Sequence, residues 1–174
     1  ELIKTRGFSD NVYLFLIYGK LKICYYEFKD QQKVEYYAHL AIEELKKAIP
    51  TATGEYLYEW KALLGSHYIC IRKFDLVKKE FEDAYKLAKN KTKSLKELIT
   101  FYICYKHHQE AIDFAMDKID QITPDNYLYY DLANCYENIN NFDEALYYYE
   151  KALQLDPESD ILKKEIESLQ KKQG

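Results

Sequence analysis

A period of 34 residues runs through most of the chain. Leu64, Leu98 and Leu132 stand 34 apart, as do Tyr68, Tyr102 and Tyr136. Ala111 returns as Ala145, and Ala84 as Ala152 two periods later. Such self-similarity marks stacked supersecondary units, each too small to bury its own apolar stripe. Five Gly and three Pro set against 19 Tyr and 8 Phe leave few breakers and much packing material. That balance disfavours an all-β fold and points to an all-α chain.

The pattern is fullest from Asn126 to Pro157, where Tyr129, Leu132, Ala133, Tyr136, Ala145, Tyr149, Ala152 and Pro157 stand in sequence. This segment resembles the tetratricopeptide repeat family at all eight places, with Tyr for the usual Trp and Phe. One period earlier stand Leu95, Leu98, Tyr102, Ala111 and Ala115, with Pro124 one place late. A period before that come Leu64, Gly65, Tyr68, Val77, Phe81 and Ala84, and Phe74-Asp75 matches the turn at Phe142-Asp143. Tyr18, Leu21, Tyr25, Val34, Ala38 and Ala41 form a looser first unit, lengthened by about nine residues through Glu43, Glu44, Lys46 and Lys47 to the breaker Pro50 and the loop 51–54. The resemblance implies a right-handed α-α superhelix forming a single domain over 1–174. Its repeats fall near 15–57, 58–91, 92–125 and 126–157, with a capping helix at 158–172. Ile161, Leu162, Ile166 and Leu169 form the apolar face of that cap, and Asp156-Pro157-Glu158 gives it a good start. Small residues such as Gly65, Ala133, Ala145 and Ala152 let paired helices approach closely.

The other end has no such cap. Residues Val12 to Tyr18 are apolar right round a helix, so upstream helices or a second copy are expected to cover them, and a homodimer through this end is one expectation. The chain opens on Glu1 rather than Met, which leaves room for an upstream segment. No apolar run approaches the roughly 18–20 residues of a membrane span. The formal charge of −4 argues against a nucleic-acid surface. Cys24, Cys70, Cys104 and Cys135 lie too far apart for a zinc site or a small disulfide framework. They read as free buried thiols in a reducing, cytoplasmic setting.

No catalytic constellation stands out. His107-His108 with Glu110 and Asp113 is the one cluster suggestive of a metal, but adjacent side chains diverge and no further ligand is suitably spaced, so an exposed turn is the better reading. His39 and His67 read as packing residues. No glycine pattern makes a phosphate cradle, and Ser66 and Cys104 have no recognisable base. No enzyme, cofactor or metal is therefore expected. Lys86, Lys89, Lys91, Lys93 and Lys96 read mainly as solvated surface, or else as a guide for an acidic partner.

In the tetratricopeptide family the first helix of each hairpin lines the concave groove. The resemblance therefore places Leu16, Gly19, Ile23, Tyr26 and Glu27 there, followed by Glu59, Ala62, Ser66, Ile69 and Cys70. Lys93, Lys96, Thr100, Ile103 and Cys104 come next, and finally Tyr127, Tyr130, Asn134, Glu137 and Asn138. The carboxylate clamp of chaperone-binding members is not expected. Only Asn134 and Lys93 fall at its places, and Ala62 and Ser66 stand where it needs Lys and Asn. The implied function is a protein- or peptide-binding scaffold holding its ligand in the groove. The alternative is the peptide-sensing domain of a bacterial transcriptional regulator, and an enzyme is disfavoured.

Overall fold

The structure, a computed structural model, describes residues 19, 20, 26 and 29–173. Every regular element among the described residues is helical. They fall into two compact units, one ending at Lys89 and the other beginning at Asn90. The apolar segment from Val12 to Tyr18, on which the expected homodimer rests, lies outside the described residues, as do Leu16, Ile23, Cys24 and Glu27.

The first unit contains α1 (Gln31–Ala48), a 3-10 turn (Ile49–Thr51), α2 (Gly54–Cys70) and α3 (Phe74–Leu87). α1 is continuous as far as Ala48 and then gives way at Pro50, whose ring cannot continue a helix. The second unit contains α4 (Lys91–Cys104), the short α5 (His108–Met116), a 3-10 turn (Ile119–Gln121), α6 (Asn126–Asn138), α7 (Phe142–Leu155) and α8 (Asp160–Gln173). Side chains of Asp30, Asn90, Asp125 and Asn141 accept the orphan backbone N–H groups at the starts of α1, α4, α6 and α7.

The period is written into the backbone as well as the side chains. Arg72, Lys106 and Asn140 all take left-handed φ values, at 55°, 61° and 60°, and stand 34 residues apart. Lys29, at 58°, precedes Arg72 by 43 residues, so the extra length lies between these two turns. After each of the three later residues the chain closes the helix in one way. The left-handed N–H donates three residues back, and the next N–H donates five back, as in Lys106 to Ile103 (2.9 Å) and His107 to Tyr102 (2.9 Å). These bonds satisfy the last carbonyls of the first helix and turn the chain into the second.

Packing at the hairpin crossings is set by paired volumes. Gly65 lies so close to Phe81 that a Cβ there would stand 2.3 Å from the ring. The same two places hold Ile99 with Ala115, and then Ala133 with Tyr149, all buried. One of the two places holds a large residue and the other a small one each time, a combination that suits a filled crossing without overpacking. Lys118 occupies the place of Ala84 and Ala152. It is buried, pairs with Asp117 at 2.7 Å and lies 4.1 Å from the Phe114 ring centre. On the outer side of α6, Tyr136 stacks on Tyr148 at 5.3 Å, and Tyr129 lies 6.0 Å from the same ring.

Several sequence expectations need correction. His39 is exposed, because it sits beside the buried stripe of Val34, Ala38, Ala41 and Leu45 rather than within it. Cys104 is exposed at the last residue of α4, while Cys70 and Cys135 are buried, and none of the three is in a disulfide. Ile161 is 64% exposed, since the first turn of α8 rotates it off the face carried by Leu162 and Leu169. No helix among the described residues is long and apolar enough to cross a membrane.

Candidate functional site

α6 offers the clearest candidate face. Tyr127, Tyr130, Asp131, Asn134, Glu137 and Asn138 recur at helical spacing of three and four, so they share one side of the helix. The flanking positions, Leu128, Leu132 and Cys135, are buried and hold α6 in place. Tyr127 is 68% exposed although it is a large aromatic. Asn138 is also exposed, and its Nδ2 donates to the Asn134 backbone carbonyl (2.8 Å) and to Asn134 Oδ1 (3.2 Å).

α4 brings Lys96 to this face. Its ammonium pairs with Asp125, the residue that caps α6, and lies 5.4 Å from the Tyr127 ring centre. Burial would raise Asp125, but the hydrogen bonds from Lys96 and from the Leu128 N–H outweigh it and hold that carboxyl below its ordinary range. Thr100, one turn on from Lys96, is exposed and donates to the Lys96 carbonyl at 2.7 Å. Lys93 is exposed and pairs with Glu97 at 3.6 Å.

At the far end of α6, Glu137 is anchored twice. Tyr149 donates its hydroxyl to Glu137 Oε2 (3.1 Å), and Lys172 of α8 donates to Oε1 (2.6 Å). Burial, reinforced by the Glu137 charge, drives the Tyr149 phenol well above its ordinary value, so it stays a donor. Tyr130 leans edge-on against Tyr149 at 5.7 Å.

Asp131 sits at the centre of this face. Burial pushes its carboxyl up to about 6, with the Asp125 charge acting in the same sense and Lys96 opposing. Among the described residues no hydrogen bond or ion pair reaches it. Beneath it, burial raises the Cys135 thiol to about 12, which keeps that sulfur protonated and unreactive.

The structure thus gathers Lys96, Thr100, Tyr127, Tyr130, Asn134, Glu137 and Asn138 into the second unit, with Lys93 near the start of α4. Glu59 and Ser66 belong to α2 of the first unit. Glu59 is exposed, whereas Ser66 is buried and its hydroxyl donates to the Leu63 carbonyl at 2.8 Å, so it serves the helix. Ala62, Ile69 and Cys70 are likewise buried. Asp131 and Asp125 were missed from sequence, although Asp131 stands four residues after Tyr127 and three before Asn134, the spacing that puts all three together. His107 pairs with Glu110 at 3.4 Å at the start of α5, and among the described residues no three His, Cys, Asp or Glu side chains gather as a metal would need.

The comparisons bear on the fold that carries this face. Residues 127–159 match the tetratricopeptide repeat family, a span that runs from the second residue of α6 through the end of α7. The chain is similar in fold to solved structures of MamA. MamA 41-end from Desulfovibrio magneticus RS-1 is 14% identical with a TM-score of 0.50, over 95% of this chain and 86% of that one. MamA of AMB-1 is 16% identical with a TM-score of 0.52, over 93% and 90%. MamA of MSR-1 is 17% identical with a TM-score of 0.53, over 92% and 87%. At these identities the likeness is one of fold. No curated protein sequence matches the chain.

Proposed function

We propose that the chain is a protein-binding scaffold, and that the α4–α6 face of its second unit receives an extended peptide or a helix of its partner. One observation carries this reading. An exposed tyrosine, two asparagine amides and a half-buried carboxylate share one side of α6, and Lys96 and Glu137 are already held in place beside them by internal pairs. Such a face supplies aromatic contact area and backbone-like hydrogen-bonding groups with little ordering left to do. The tetratricopeptide match over α6 and α7 supports the same reading, because this fold commonly serves peptide recognition. No catalytic step belongs to it.

The test is affinity capture with the full chain, followed by mass spectrometry, using wild type and Tyr127→Ala/Asn134→Ala. Both side chains are at least partly exposed, so the double variant is expected to keep its circular dichroism and melting curve. Loss of the captured partner from the folded variant supports the reading. Full retention places binding elsewhere.

A further inference from the structure

Charge is divided unevenly along the chain. Residues 90–174 hold ten Lys and no Arg against sixteen Asp and Glu, a formal charge of −6, whereas residues 1–89 carry +2. On the α4–α6 face most of the fixed charges are already matched. Lys96 is paired with Asp125, Lys93 with Glu97, and Glu137 with Lys172. Asp131 is the exception, with no hydrogen-bonding or ion-pair partner among the described residues and Lys96 engaged by another carboxylate.

What surrounds Asp131 suits a cation. The Tyr127 ring one turn earlier already has an ammonium 5.4 Å from its centre on the Lys96 side, so it takes part in cation–π contact. Tyr130 adds a second ring beside the carboxylate. Among the described residues, the Nδ2 of Asn134 and the Oδ1 of Asn138 are left open by the amide pair that joins the two residues, one donor and one acceptor. That is what an extended peptide backbone needs.

We propose that Asp131 makes the α4–α6 face a receptor for a basic extended peptide, with an arginine or lysine of the partner lying against the carboxylate between Tyr127 and Asn134. This rests on the binding role proposed above and names the chemistry of the partner. The acidic field of the second unit speeds the encounter, and Asp131 fixes the register. The groups facing Asp131 are Lys96 from α4, Asp125 at the start of α6, and Tyr130 and Cys135 on α6 itself. Burial favours the protonated acid, so the bound cation must hold it ionised, and affinity falls as pH drops through about 6.

The experiment is fluorescence anisotropy of the full chain with a labelled octapeptide of alternating arginine and leucine, at neutral pH and physiological salt. The control peptide carries glutamate in place of arginine. The arginine peptide is expected to bind and the glutamate peptide to fail. Asp131→Asn should weaken binding by about tenfold or more. Glu150→Gln removes the same charge from an exposed site on α7 and should change binding by less than about twofold. Equal losses in the two variants, or no preference for arginine over glutamate, overturn the proposal. If Tyr127→Ala/Asn134→Ala abolishes peptide binding while Asp131→Asn leaves it intact, the cation site falls and the peptide face stands.

Discussion

The two units satisfy one repeat pattern with different chemistry. In the first unit the crossing of α2 and α3 pairs Gly65 with Phe81, and the place corresponding to Glu137 is held by Ile69. In the second, α6 and α7 carry Ala133 and Tyr149 at the same two places, and the phenol hydroxyl finds Glu137, which is held in turn by Lys172 of the cap. A hydroxyl entering this layer would cost about 1–3 kcal/mol if left alone. The exchange of Phe for Tyr therefore comes with the exchange of Ile for Glu, and it ties α8 to the hairpin. The apolar version makes a crossing, and the polar version makes a crossing and also shapes a charged, accessible face.

The largest effect that would break this comparison comes from the shared small position. Ala145 is fully buried where α7 packs, so Ala145→Asp adds bulk and an unpaired charge and should cost about 3–5 kcal/mol in chemical denaturation. A midpoint unchanged by that substitution removes the common register. Gly65→Ala comes next, at about 1–3 kcal/mol, because the Phe81 ring fills the space a Cβ needs. Adding Phe81→Leu should recover part of that loss, and a double-mutant cycle with no coupling between the two would dissolve the volume pairing.

Asp131→Asn should raise stability, unusually for a change on the proposed binding face. An acid whose pKa is higher in the fold than in the unfolded chain binds its proton more tightly when folded, so stability declines as pH rises from about 4 to about 6. Removing the charge removes that decline. The gain is expected at about 1–2 kcal/mol near pH 7, allowing for solvent screening, and should vanish near pH 4. A gain independent of pH would assign it to something other than the carboxylate. The smallest effect is Tyr149→Phe, which makes the second unit resemble the first and leaves Glu137 with Lys172 alone. A loss of about 1 kcal/mol is expected, and no loss at all would deny the hydroxyl its structural role.

The repeat was legible in the sequence because a helix crossing restricts size, and size restriction survives changes in residue type. Leu64, Leu98 and Leu132 are all buried, as are Tyr68 and Tyr102. The turns were harder to read, since the left-handed position is filled by Arg72, Lys106 and Asn140 and never by the glycine that would have marked it. α5 ends at Met116, earlier than the period suggests, and the late Pro124 was the one visible sign of that irregularity. Of the candidate site, the tyrosines and asparagines of α6 came from the tetratricopeptide resemblance, which implies that the first helix of each hairpin lines the groove. Asp131 was passed over because a single acid on a helix reads as solvated surface. Its half-burial and the pairing of Lys96 with Asp125 arise only once α4 is brought beside α6.

Backbone amide shifts of the ¹⁵N-labelled full chain, followed as the arginine–leucine peptide is added, test the central claim most directly. The account predicts that the largest changes fall on α6 from Tyr127 to Asn138 and on α4 around Lys96 and Thr100. Changes centred instead on the outer residues of α7, such as Tyr147 and Glu150, or on α2 and α3, would contradict it.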